Sequence, residues 1–294
     1  MRSNVPVMVS SVSGNTQLLD GGAMFGNAPR PLWERWITPD NLGRIPLACR
    51  ALLIEIGDKK ILCETGIGAY MEPALAARYG VVEREHLLLE NLKKLNLSDA
   101  DIDYVILSHL HFDHAGGLLK PFKEHAPLEL LFPNAKFVVG KEAWERAKHP
   151  HFRDKASFIP GLSDLLEATG RLVIVDGDHI PDFHRETLSF RISEGHTPGQ
   201  LHTLVSGNSQ TLVYAGDLIP GKAWVHLPIT MGYDRYPEKV IDEKEELYRD
   251  VVEKKWIVFY THDSKVAASQ VEKDDKGRYL PVHDLETLER FSLN

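Results

Sequence analysis

Three histidines and one aspartate stand close together in one short stretch of the chain, at His109, His111, Asp113 and His114. Imidazole nitrogens and carboxylate oxygens are the ligands that Zn²⁺ and similar cations prefer. The stretch follows an apolar run that ends at Leu107, which predicts a strand leading into it. Side chains two residues apart in extended backbone point the same way, so His109 and His111 can bind one ion. Asp113 and His114 then fall on the other side, where they can hold a second ion.

Three further candidate ligands each follow an apolar run farther along the chain: His196, Asp217 and His262. The ends of strands are places where a rigid scaffold presents reactive side chains. A single closed zinc site needs only four ligands, so seven candidates predict two metal ions per chain.

The order of these seven residues resembles that of the metallo-β-lactamase superfamily of binuclear hydrolases, over about residues 45–265. The resemblance implies an α/β fold of the αβ/βα four-layer sandwich type, with two mixed β-sheets flanked by helices. It also implies a division of the ligands, with His109, His111 and His196 on the first metal, Asp113, His114 and His262 on the second, and Asp217 bridging both.

Glu64 is a departure from that family pattern. The run Glu64-Thr65-Gly66 stands where the family usually has Asp-Thr-Gly. A glutamate keeps the carboxylate but adds a methylene, so we expect any hydrogen bond from it to a ligating imidazole to be re-aimed or lost.

The chain is expected to form a single domain over residues 1–294, in which residues 1–44 are an N-terminal extension that walls a substrate gorge or packs on the core. Apolar periodicity and turn residues predict alternating strands and helices. The main elements expected are a hairpin over 49–63, a helix over 87–95, a strand over 136–139, a helix over 141–148 and a helix from Pro237 to about Glu253.

The formal net charge of −8 argues against nucleic acid and anionic lipid as partners. No stretch approaches the roughly 20 apolar residues of a membrane span, and the start of the chain is a poor secretion signal, so a cytoplasmic protein is expected. Cys49 and Cys63 lack metal-type spacing and are expected to be buried free thiols. A homodimer stays open.

The predicted site supports hydrolysis without a serine or cysteine nucleophile. Two bound cations lower the pKa of a shared water toward about 7, so a hydroxide bridging the metals can attack a polarised carbonyl or phosphoryl group. Asp113 and Asp217 are the predicted catalytic residues, because either can carry a proton to the leaving group. Zinc is the expected metal, and the same ligands accept manganese, cobalt or iron.

The substrate expectation rests on further resemblance. Residues 21–26, 29–33, 44–47 and 216–220 resemble the corresponding segments of quorum-quenching N-acyl homoserine lactonases in this superfamily, which implies a small-molecule ester or lactone as substrate. Some of those lactonases carry a tyrosine where this chain has Pro220, so Tyr233 or Tyr236 would have to supply any assisting phenol. The residues expected to contact substrate are Phe25, Trp33, His226 and Tyr233.

Three alternatives stay open at this point. A phosphotriesterase or arylesterase would use the same site on a different polarised oxygen. Thioester hydrolysis of the glyoxalase type is weakened by Gln200, which replaces a histidine expected in that group. A non-catalytic metal-binding carrier is disfavoured by the complete ligand set.

Overall fold

The computed structural model describes residues 5–294, so the first four residues of the expected N-terminal extension lie outside it. The strands are β1 Val7–Val12, β2 Gln17–Asp20, β3 Arg44–Leu47, β4 Ala51–Ile56, β5 Lys59–Cys63, β6 Tyr104–Leu107, β7 Lys136–Gly140, β8 Leu172–Val175, β9 Leu188–Ser193, β10 Gln200–Ser206, β11 Thr211–Tyr214, β12 Ile257–Phe259, β13 Ala268–Lys273, β14 Tyr279–Leu285 and β15 Phe291–Ser292. The helices are α1 Gly21–Phe25, α2 Arg30–Trp33, α3 Pro73–Arg78, α4 Leu87–Lys94, α5 Phe112–Ala115, α6 Lys141–Lys148, α7 Leu162–Ala168 and α8 Pro237–Glu253.

The strands form two large mixed sheets. The seven-stranded sheet has the order β15-β1-β4-β5-β6-β7-β8, and β5 to β8 run parallel to one another. The six-stranded sheet has the order β14-β13-β12-β11-β10-β9, in which β11 and β12 are the parallel pair. Strands β2 and β3 form a separate antiparallel pair.

Burial follows four layers. One apolar cluster joins the two sheets face to face, with Ile54 and Ile106 of the first sheet in the same cluster as Leu212 and Phe259 of the second. The other face of the seven-stranded sheet packs with α4, α6 and α7, and the other face of the six-stranded sheet packs with α8. This helix-sheet-sheet-helix order confirms the expected αβ/βα sandwich, because each sheet buries one face on its partner and the other on helices.

The predicted hairpin over 49–63 is confirmed as β4 and β5, with Leu53 opposite Leu62. The helices predicted around residues 87–95, 141–148 and 237–253 are α4, α6 and α8. Cys49 and Cys63 are buried free thiols, as expected.

Part of the N-terminal extension is built into the fold. β1 pairs with both β4 and β15 inside the seven-stranded sheet. The segment that follows contributes a compact aromatic cluster, in which Phe25 stacks on Trp33 and Trp224 with ring centroids 5.4 and 4.5 Å away. In the described part of the chain, no helix combines the length and apolar character needed to cross a bilayer.

Candidate active site

All seven predicted ligands lie where strands end. β6 stops at Leu107, and His109 and His111 follow in the loop before the single helical turn α5, which carries Asp113 and His114. The other three ligands follow strands of the second sheet, with His196 after β9, Asp217 after β11 and His262 after β12. The two sheets therefore meet at one edge, where their loops bring the seven side chains together.

His109, His111 and His196 form the first group of donors. His111 presents Nδ1, which lies 2.9 Å from His109 Nε2 and 3.4 Å from His196 Nε2. A tetrahedral zinc ion with nitrogens at about 2.1 Å holds them about 3.4 Å apart, so these nitrogens already lie near the separations that the ion requires.

Asp113, His114 and His262 form the second group. The Nε2 atoms of His114 and His262 are 3.3 Å apart. Asp113 Oδ2 lies 3.5 Å from His262 Nε2, and Asp113 Oδ1 lies 3.8 Å from His114 Nε2. Two imidazoles and one carboxylate thus converge on a single point, as the sequence predicts.

Asp217 stands between the two groups. Its Oδ1 lies 3.3 Å from His114 Nε2 and 3.2 Å from His262 Nε2, while its Oδ2 lies 3.3 Å from His196 Nε2. One carboxylate oxygen therefore faces each group, which is the arrangement that a bridging ligand requires.

The chemistry of these donors fits bound cations. Burial lowers the pKa of His109 and His111 well below the usual value, and neighbouring imidazoles lower it further, so both are neutral and keep a lone pair to donate. Burial alone would also lower the pKa of His114, but the carboxylates of Asp217 and Asp113 raise it well above the usual value. The buried Asp217 Oδ1 accepts no well-aligned hydrogen bond from residues 5–294, although the Nε2 atoms of His114 and His262 lie 3.3 and 3.2 Å from it. A buried carboxylate needs a compensating positive charge, and metal ions would supply it here.

The outward nitrogens of the imidazoles are held by other groups. His196 Nδ1 lies 2.9 Å from Asp234 Oδ1, His262 Nδ1 lies 2.7 Å from the Ala48 carbonyl oxygen, and His109 Nδ1 lies 2.9 Å from Ser108 Oγ. Such partners fix the ring orientation of a metal-binding histidine and the nitrogen that it presents. Sequence reasoning missed Asp234, because 38 residues separate it from His196 and no motif spacing marks it.

Glu64 contacts both the start of the histidine loop and a predicted ligand. Oε1 accepts a hydrogen bond from the Ser108 backbone N–H at 2.6 Å, and Oε2 lies 3.4 Å from His114 Nδ1. The residue adopts a φ of 66°, a left-handed conformation that is uncommon outside glycine. Its side chain thus fixes the start of the histidine loop as well as facing one of the ligands.

The donors open into a cavity of about 390 Å³. Its apolar walls come from Met24, Leu47, Phe112 and Met231, and Tyr233 also lines it. A cavity of this size with apolar walls and a few polar groups at one end is typical of a small-molecule site.

The structure places one of the four predicted substrate residues at the cavity. Tyr233 lines the cavity, but Phe25, Trp33 and His226 do not. Phe25 is 0 % exposed and Trp33 is 3 % exposed, because both rings are buried within the N-terminal aromatic cluster. His226 stacks on Trp36 at 4.9 Å and lines a neighbouring cavity instead. The aromatic rings of this segment therefore pack on the core, while Leu19 and Met24 of the N-terminal extension line the cavity.

The fold and the sequence of this chain resemble those of known proteins. A probable metal-dependent hydrolase from Staphylococcus aureus superposes with a TM-score of 0.83 at 26% identity, over 95% of this chain and 98% of that one. A dizinc quorum-quenching lactonase, AidC, in complex with a product, superposes with a TM-score of 0.72 at 22% identity, over 97% and 98% of the two chains, which shows the shared fold.

Among curated proteins, an N-acyl homoserine lactonase from Bacillus thuringiensis is 26% identical over 265 residues, which cover 84% of this chain and 90% of the relative. The family model of the metallo-beta-lactamase superfamily matches residues 44–262, a span that contains all seven predicted ligands. The chain therefore belongs to the metallo-beta-lactamase superfamily.

Proposed function

We propose that this protein is a two-metal hydrolase that opens the ring of N-acyl lactones. The observation that carries the proposal is the position of Asp217, whose two oxygens face two separate groups of donors at the end of an apolar-walled cavity. Six imidazole and carboxylate side chains around one shared carboxylate suit two divalent ions, and the predominance of imidazole favours zinc.

Divalent ions bound by these groups would supply Lewis acidity and lower the pKa of a coordinated water. Residues of the chain position the ligands and transfer the proton. Asp217 sets the separation of the two groups, and Asp234 orients His196 from outside. The Asp113 side chain is 14% exposed and lines the cavity, so its carboxylate can accept a proton and pass it to a leaving group.

The substrate class is proposed from the relatives and from the cavity walls. The Bacillus thuringiensis relative is named as an N-acyl homoserine lactonase and matches most of both chains. Met24, Leu47, Phe112 and Met231 offer apolar surface to an acyl chain, and the donors line the same cavity. An N-acyl lactone combines the same two features, a polar ester and a hydrocarbon chain.

The test is a substrate panel with the zinc-loaded protein. N-acyl homoserine lactones, an aryl phosphotriester, an aryl ester and a glutathione thioester are assayed side by side in a pH-stat. We expect the highest kcat/KM for a lactone. The variant His262→Ala should lose activity, and the matched control His125→Ala should keep it, because the His125 ring is 91% exposed and is not a predicted ligand.

Each contrary result points to a different function. A phosphotriester or thioester that exceeds every lactone by tenfold in kcat/KM would replace the lactonase proposal with the corresponding hydrolase. Metal-loaded protein that hydrolyses no member of the panel above the buffer rate would favour a metal-binding carrier.

A further inference from the structure

One wall of the cavity is basic, although the chain as a whole has a formal net charge of −8. Arg153 and Asp154 line the cavity, and Arg146 and Arg235 lie against Asp154. Two guanidinium groups thus lie against one carboxylate, and that of the preceding residue, Arg153, faces the same cavity. We call Arg146, Arg153, Asp154 and Arg235 the basic wall.

The charge of Asp154 is already neutralised within this wall. Asp154 is 6 % exposed, and its Oδ2 accepts hydrogen bonds from Arg146 Nε at 2.9 Å and Arg146 Nη2 at 2.6 Å. Arg235 Nε lies 3.9 Å from the same oxygen. One guanidinium balances the carboxylate, so the other two leave the wall with a surplus of positive charge.

Arg153 and Arg235 both have donors to spare. Arg153 is exposed at the cavity and donates one hydrogen bond from Nη2 to the Gly232 carbonyl oxygen at 2.7 Å. It makes no ion pair with any residue from 5 to 294, and a guanidinium has five N–H donors, so four are left. Arg235 Nε and Nη1 are buried and find no acceptor within the same part of the chain.

The bond to Gly232 places the Arg153 guanidinium next to a second element of the cavity. Gly232 lies between Met231 and Tyr233, and all three line the cavity. This hydrogen bond holds the Arg153 guanidinium against the wall of the cavity. A positioned guanidinium matches a carboxylate in a planar, two-bond geometry.

We propose that the basic wall selects substrates whose acyl chain carries a carboxylate at its far end. The inference rests on the proposed lactone-opening function and names the substrate class of that site. The apolar walls contact the methylenes of the chain, and Arg153 pairs with the terminal carboxylate. The guanidinium groups that Asp154 leaves unbalanced put positive charge beside this wall, which favours an anionic group on the substrate there.

The experiment compares matched substrates. Homoserine lactones acylated with ω-carboxy chains of about four to eight carbons are each paired with the neutral analogue that ends in a methyl group. At the best length, we expect kcat/KM for the charged member to exceed that of the neutral member by about tenfold, the order expected for a partly exposed charge-assisted pair. The ratio should fall toward one as salt is raised, because screening weakens the pair.

Variants at the wall separate this effect from a general loss of activity. Arg153→Gln should bring the ratio of kcat/KM values close to one, and Arg153→Glu should bring it below one. Arg185→Gln is the matched control, since its side chain is 66% exposed, pairs with Asp178 and lines no part of this cavity. The ratio should be the same in Arg185→Gln as in the wild type.

A ratio of one or less in the wild type, or a ratio that Arg153→Gln leaves unchanged, would overturn the carboxylate preference while lactone opening stands. To make the readout independent of turnover, calorimetry measures binding of the ring-opened products to the metal-loaded protein. If no lactone is hydrolysed but charged products bind about tenfold more tightly in an Arg153-dependent manner, the lactonase function fails and the anion preference holds. Equal binding of both products would remove the preference as well.

Discussion

Asp234 accepts a hydrogen bond from His196, with Asp234 Oδ1 and His196 Nδ1 2.9 Å apart. The other carboxylate oxygen of Asp234 accepts the Met231 backbone N–H at 2.6 Å, so the aspartate is itself held in place. A donor at Nδ1 leaves the lone pair of His196 on Nε2, the atom that faces His111 and Asp217. One loop residue therefore fixes both the tautomer and the direction of a predicted ligand.

Replacing this aspartate tests its role directly. Asp234→Asn should weaken zinc binding at the His196 group by about 10- to 100-fold, because an amide no longer stabilises the N–H of the ring as a carboxylate does. Competition with a chromophoric chelator measures the affinity of each ion. Asp242→Asn, an exposed aspartate on α8, is the control and should bind zinc as the wild type does. Equal affinity in Asp234→Asn and the control would contradict the orienting role.

The ligands could be predicted from the sequence and their supporting groups could not, for a physical reason. The seven donors have chemically specific types and each follows an apolar strand, so type and position both mark them. Asp234 and the Ala48 carbonyl oxygen act through the fold alone, at sequence distances of 38 and 214 residues from the rings that they hold. Only the packing of the two sheets shows those contacts.

Asp217 is expected to serve both metal groups at once. Asp217→Asn should lower the zinc content from two ions per chain and reduce kcat by at least tenfold, because a neutral amide cannot balance two cations. Elemental analysis after dialysis against dilute zinc gives the content, and the lactone assay gives the rate. A variant with two ions and full turnover would show that Asp217 does not bridge.

Phe25 is expected to act on stability, whereas sequence reasoning placed it at the substrate. Its ring stacks between Trp33 and Trp224 and is fully buried. Phe25→Ala should lower the free energy of unfolding by about 3–5 kcal/mol, the usual cost of emptying a buried phenylalanine site. Urea unfolding checks this. Phe152→Ala, at a ring that is 94 % exposed, should change the same free energy by less than about 0.5 kcal/mol.

One charged side chain is buried on the apolar face of α8. Val240, Leu247 and Val251 pack as their helical spacing indicates. Lys244 shares that face and is fully buried, with Nζ donating to the carbonyl oxygens of His226, Leu227 and Ile229 at 3.2, 3.4 and 2.7 Å. From sequence alone a lysine is expected to be exposed to solvent, and only the loop that supplies three carbonyl oxygens explains the burial of Lys244.

The single-domain organisation over residues 1–294 stays a prediction.

Lys244 makes stability depend on pH in a defined direction. Burial lowers the pKa of this amine to about 7 in the folded protein, whereas a lysine in the unfolded chain titrates at roughly 10.4. Between these two values the unfolded chain binds more protons, so the free energy of unfolding rises with pH. The free energy of unfolding of the wild type minus that of Lys244→Met should therefore increase from pH 7 to pH 9. The control Lys276→Met, at an exposed lysine, should show a flat difference, and a flat difference for Lys244→Met would contradict the lowered pKa.

Two tyrosines three residues apart differ in their position relative to the cavity. Tyr233 and Tyr236 are 42 % and 45 % exposed, but only Tyr233 lines the cavity. Each buried methylene of an acyl chain contributes up to about 0.8 kcal/mol, so kcat/KM of the wild type should rise as the chain of a neutral N-acyl homoserine lactone lengthens. Tyr233→Ala removes one wall and should flatten that rise, whereas Tyr236→Ala should keep the wild-type slope. The comparison is a plot of log kcat/KM against carbon number for the three proteins. Equal slopes for both variants, or a wild type indifferent to chain length, would show that the acyl chain does not lie against Tyr233.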